Sequence, residues 1–131
     1  MILVIDASAA HNASLAEHGF AFYRREELVA PPLLWSEVRS GLHEAVWRGD
    51  LAREHALVAL DVLAKAPIRV ATDRRLALEA WRVADELGWA KTYDAEYVAL
   101  ARLLSCRLVT VDDRMRRATA RFGYVIGPEE L

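Results

Sequence analysis

Only one cysteine, Cys106, occurs in 131 residues, so no intrachain disulfide forms and no cysteine metal cluster is possible. Long apolar runs are missing as well. A membrane helix needs about 18 or more uninterrupted apolar residues, and stretches such as 56–60 are far shorter. The opening Met1-Ile2-Leu3-Val4-Ile5-Asp6 has no basic region and meets an aspartate at once, unlike a secretory signal. A soluble, cytoplasmic chain with no membrane association is therefore expected. Six glycines and four prolines are too few for a collagen-like or linker-dominated chain. No charge of either sign dominates: the formal net charge is −2, so any nucleic-acid surface has to be local. Lysine is scarce, with Lys65 and Lys91 the only two among 17 basic residues. Arginine's planar fork suits phosphate recognition, although genome composition explains the same bias.

What is present is a folding chain. Hydrophobic residues make up 54% and charged residues 27%, a balance that excludes wholesale disorder. The length falls in the single-domain range of about 100–200 residues, and no repeat or linker divides it, so one domain over 1–131 is expected. Short apolar runs at Ile2–Ile5, 28–30, 68–71, 107–111 and 124–126 read as strands, continuous rather than alternating because both faces are covered. Helical patterns lie between them at 9–18, 33–48, 51–65, 73–87, 93–105 and 114–121, with Gly19, Gly49 and Gly88 where helices should stop. Strands separated by helix-length segments predict an α/β fold: a three-layer α/β/α sandwich with a mostly parallel sheet of four to five strands.

Four acids stand out in that frame. In an open parallel sheet, chemistry gathers at the carboxyl ends of the strands. Asp6 ends the first strand and Asp112 the fourth; each also suits the N-cap of the following helix. Glu37 lies on the stripe Leu34, Val38, Gly41, Leu42 and Ala45, the face that should pack on the sheet. Asp94 shares a face with Val98 and Ala101 and falls in a first helical turn, where the dipole favours an anion. A carboxylate facing a core needs a partner, a cation or a proton. Four carboxylates in one pocket repel unless a hard divalent cation sits among them, and oxygen-only ligands point to magnesium or manganese. Zinc does not fit, because His11, His18, His43 and His55 show no paired ligand spacing. Glu96 faces away from Asp94 and reads as solvated, as does Asp113, which remains a substitute ligand.

Val4-Ile5-Asp6-Ala7-Ser8, Glu37 in the helix after the second strand, Tyr93-Asp94-Ala95-Glu96-Tyr97-Val98-Ala99-Leu100-Ala101 and Thr110-Val111-Asp112 together resemble the PIN-domain nucleases. The likeness is nearest to VapC-type toxins of bacterial toxin–antitoxin pairs; it spans nearly the whole chain, and the helix from Tyr93 is its most specific element. The resemblance implies an endoribonuclease with Asp6, Glu37, Asp94 and Asp112 as its acidic site for Mg²⁺ or Mn²⁺. Ser8 and Thr110 would support those carboxylates by hydrogen bonds. In-line attack by water would leave a 5′-phosphate and a 3′-hydroxyl, the metal supplying water activation and phosphoryl polarisation. It further implies a homodimer and a VapB-like antitoxin seated in an apolar groove formed by helices 33–48 and 51–65. A nuclease outside any toxin–antitoxin pair, or a non-catalytic binding module of the same fold, is the alternative.

By proximity to the acids, Arg39, Lys91, Arg114 and Arg116 are the candidate phosphate contacts. Trp35, Trp47, Trp81 and Trp89 read as core or dimer-interface residues rather than stacking platforms. A phosphoacceptor receiver domain is disfavoured, since 68–71 ends without an aspartate and neither lysine lies near the last strand. A haloacid-dehalogenase-like phosphatase would need an aspartate where Ser8 stands.

Overall fold

The computed structural model describes residues 1–131. Its strands are β1 (Ile2–Ile5), β2 (Glu27–Ala30), β3 (Ile68–Val70), β4 (Arg107–Val109) and β5 (Val125–Ile126). Its helices are α1 (Ala7–Leu15), α2 (Leu33–Trp47), α3 (Arg53–Ala64), α4 (Leu76–Leu87), α5 (Tyr93–Leu104) and α6 (Asp113–Thr119). Every strand pairing is parallel, in the order β3-β2-β1-β4-β5. The chain winds outward from β1 through β2 to β3, then returns to the other side of β1 for β4 and β5. Right-handed crossovers in opposite directions put helices on opposite faces. Accordingly α1, α2 and α3 pack on one another while α4 packs on α5, giving the three layers.

The two central strands are apolar on both faces: Val4 and Ile5 of β1 and Leu108 and Val109 of β4 are fully buried. Fully burying one such side chain stabilises by about 1.5–3 kcal/mol. Helix α5 is the most enclosed helix, with Ala95, Tyr97, Val98, Ala99, Leu100 and Ala101 all buried. Its alanines let it lie close to β1, β4 and α4 at once. Edge strand β3 is short, with Arg69 and Val70 exposed, as befits a protected edge.

Several boundaries differ from those read in the sequence, for local reasons. Helix α1 starts at Ala7 rather than 9 because the Asp6 carboxylate accepts the Ala9 N–H at 2.9 Å, and it ends at Leu15, short of Gly19. Gly19 instead opens a 3₁₀ turn, Gly19–Tyr23, that sends Phe20 and Tyr23 into the core. Helix α4 starts at Leu76 rather than 73, because Asp73 folds a turn by accepting the Arg75 N–H at 2.8 Å. Strand β4 stops at Val109 instead of 111; the Thr110 N–H still bonds the Ile126 carbonyl at 3.0 Å, and Thr110, Val111 and Asp112 turn out of the sheet toward α1 and α6. Of the polar side chains of α1, Ser14 is buried and donates to the Ala10 carbonyl, while the His11 ring packs on Gly41 of α2 with its Nε2 buried and unpartnered.

Candidate active site

The strand order reverses between β1 and β4, and ligand crevices in such sheets form at that switch point, beyond the carboxyl ends of the strands. Asp6 follows β1 and Asp112 follows β4 by three residues. The Asp6 N–H bonds the Val109 carbonyl at 3.2 Å, tying the two strand ends together.

Asp6 is 4% exposed. One carboxylate oxygen accepts from the Ser8 hydroxyl at 2.7 Å and from the Ala9 N–H; the other accepts from the Thr110 hydroxyl. Ser8 and Thr110 lie 3.1 Å apart, and the Ser8 oxygen also accepts the Val111 N–H. Residues 102 positions apart in the chain thus form one hydrogen-bonded cradle around a single carboxylate. Burial nonetheless pushes the Asp6 carboxyl up to about 6, against the lowering effect of those bonds, and the Asp94 charge adds to the rise.

Asp112 caps α6, accepting the Arg114 N–H at 2.9 Å and the Met115 N–H at 3.3 Å through one oxygen. The capping and site readings of Asp6 and Asp112 are therefore compatible, because a cap occupies only part of a carboxylate's acceptor capacity. Glu37 is half-buried in the first half of α2 and accepts from the Tyr97 hydroxyl of α5 at 2.5 Å. Its carboxyl is raised by burial, opposed by that hydroxyl, and raised further by the charges of Asp94 and Glu96. Asp94, the second residue of α5, lies at the rim; desolvation by the surrounding protein raises its carboxyl, Asp112 adds to the rise, and the Arg114 guanidinium opposes it.

Glu37, Asp94 and Asp112 line a single cleft of about 630 Å³ with Lys91, Arg114, Trp89 and Tyr93. That size falls within the usual range for small-ligand sites, about 300–1,000 Å³. Asp6 does not reach the cleft lining; it lies buried, coupled to Asp94. As the side chains stand, no three acids approach closely enough to grip one ion together. The chemistry of the donor set still fits a hard divalent cation: the carboxyls of Asp6, Glu37 and Asp94 are each raised, chiefly by burial and in part by neighbouring acids, and no histidine or thiol lines the cleft.

Other placements depart from the sequence reading. Arg39 is exposed on α2 and leans on Ser36 one turn back, away from the cleft lining. Arg116 is held at 2.7 Å by both Glu129 and Glu130 and lines a different recess, as does Asp113. Helical geometry explains this: Arg114 and Arg116 are two residues apart and so point to different faces of α6. Glu96 is half-buried and close enough to act on Glu37, not freely solvated. Trp35 packs on the core, Trp47 and Trp81 are exposed, and Trp89 both packs on the core and lines the cleft. The sequence gives no signal of Tyr97's role, since a tyrosine among Ala95, Val98 and Ala101 reads as core; only the tertiary structure turns its hydroxyl to Glu37.

Comparison with known proteins converges on one family. A family model described as the PIN domain matches residues 3–120. VapC ribonuclease Mb0985 of Mycobacterium bovis is 35% identical over 116 residues, covering 87% of this chain and 88% of its own. Ribonuclease VapC1 of Mycobacterium tuberculosis is 34% identical over 121 residues, covering 88% and 89%. The crystal structure of PAE2754 from Pyrobaculum aerophilum superposes with a TM-score of 0.71 at 28% identity, covering 99% of this chain and 94% of that one.

Proposed function

Since the chain belongs to the PIN-domain family, we propose that it is a metal-dependent endoribonuclease acting as the toxin of a toxin–antitoxin pair. The observation that supports this reading is the placement of Glu37, Asp94 and Asp112 on one cleft beside the switch point between β1 and β4, with Asp6 buried behind it within electrostatic reach of Asp94. Relatives named as VapC ribonucleases support the RNA substrate.

Asp6 and Asp94 would hold a Mg²⁺ or Mn²⁺ ion, with Glu37 and Asp112 beside it. Bound there, the ion would supply water activation and phosphoryl polarisation. Ser8 and Thr110 keep the Asp6 carboxylate in one orientation by donating to both of its oxygens. Tyr97 does the same for Glu37 through its hydroxyl. Glu37, with its raised carboxyl, is suited to orient the attacking water and accept its proton. Lys91 and Arg114 on the cleft wall attract the phosphate backbone. Cleavage would leave 5′-phosphate and 3′-hydroxyl ends.

The toxin role brings a VapB-like antitoxin docking on the apolar side of α2 and α3, which present Trp47, Leu57 and Val58 to solvent. A homodimer and a cytoplasmic location complete the proposal. No helix is long and apolar enough to cross a membrane. Purified protein is expected to cut single-stranded RNA with Mg²⁺ or Mn²⁺ and to stop with EDTA. Asp94→Ala is expected to lower the rate at least a hundredfold; undiminished cleavage by that variant ends the assignment to this cleft.

A further inference from the structure

The wall of the cleft carries two aromatic rings that the acids do not explain. Tyr93 is 59% exposed, although aromatic side chains gain most by burial. Trp89 rests one side on the core and still lines the cleft. Trp89 and Lys91 come from the short connection between α4 and α5, and Tyr93 is the first residue of α5, next to Asp94. The connection is set in place: Gly88 ends α4 in the left-handed conformation at φ 69°, and the Trp89 N–H bonds the Ala84 carbonyl at 2.9 Å.

From this juxtaposition we infer that Tyr93 and Trp89 are nucleobase-stacking residues that position the strand beside the acids; the inference rests on the nuclease reading of the same cleft. Three carboxylates on the cleft wall repel a phosphate backbone, so charge alone gives a poor grip there. The two cations on the same wall, Lys91 and Arg114, offset part of that repulsion but read no base. Aromatic faces supply the remainder, since every base has a π-face and stacking tolerates any sequence. Stacking needs an exposed base, so the rings select an unpaired nucleotide next to the scissile phosphate.

The test is binding without turnover. A fluorescently labelled 10-nucleotide RNA is titrated with the protein in EDTA at low salt, and the intact strand is compared with strands carrying one abasic nucleotide at each position in turn. The expected result is a loss of about tenfold or more in affinity at one or two positions, the scale of one stacked base. Tyr93→Ala should show a similar loss with the intact strand and little further loss with the abasic one, the signature of coupled groups; Tyr93→Phe should restore binding. An abasic scan flat at every position for the unmodified protein overturns the inference, as does unchanged affinity of Tyr93→Ala. Absence of saturable binding overturns it too. In each case Mg²⁺-dependent cleavage and its loss in Asp94→Ala still decide the nuclease reading separately.

Discussion

Asp6 caps α1 with the carboxylate proposed for the site, and its surroundings pull its proton affinity in opposite directions. Hydrogen bonds from Thr110, Ala9 and Ser8 favour the charged form, and burial wins over them. The folded protein therefore holds this proton more tightly than the unfolded chain: the carboxyl is raised from 3.8 to about 6. Its stabilising effect is complete below pH 4, shrinks as pH rises to about 6, and is absent above it. At 1.36 kcal/mol per unit, the metal-free protein forgoes on the order of 3 kcal/mol at neutral pH. In EDTA, Asp6→Asn should therefore unfold at higher denaturant than the parent at pH 7.5, with the gap closing toward pH 4; a gap independent of pH would contradict this. Tyr97 yields a second prediction. Tyr97→Phe removes the donor that holds the Glu37 carboxyl down, so the acidic limb of the pH–rate profile should move to higher pH. Stability should fall by about 1 kcal/mol, measurable by urea titration.

Among the elements, α2 shows how one helix meets two demands. Pro31 and Pro32 end β2 and start α2, since proline lacks the N–H that a strand needs and a first helical turn does not. Leu34, Val38, Leu42 and Ala45 then bury one stripe, and Glu37 sits at its edge where α5 supplies a hydroxyl. Gly41 lies on the same helix facing α1, and a β-carbon there would meet His11 ring atoms at 3.6 and 3.7 Å, ordinary contact distances. Gly41→Ala should therefore stabilise the protein by about 0.5–1 kcal/mol through helix propensity, read as a higher urea midpoint with cleavage unchanged. The pattern of this helix was legible because its period is strong. The starts of α1 and α4 were not, since a side chain bonding two or three residues ahead decides them and leaves no periodic trace.

At the scale of the molecule, the site exists because parallel strands running outward in two directions leave a crevice where they part. Loading that crevice with a cation should favour the folded state, since the unfolded chain has no comparable set of oxygens. A ligand at a hundred times its dissociation constant contributes about 2.7 kcal/mol, so Mn²⁺ should raise the Tm by several degrees. Asp6→Asn should blunt the rise; an identical rise in both proteins would exclude Asp6 as a ligand.

Composition and spacing determined the class of fold and the sequence of strands and helices, and singled out four acids as candidates, because hydrophobic period, an aspartate after a strand and a carboxylate on an apolar stripe are local signals. The order of the strands, the Ser8–Thr110 cradle and the hydroxyl of Tyr97 on Glu37 depended on contacts between segments 60 to 104 residues apart, which no local pattern encodes. The same holds for the basic residues: Lys91, in the connection before α5, and Arg114 face the cleft while Arg39 and Arg116 do not, Arg114 and Arg116 falling on different sides of α6.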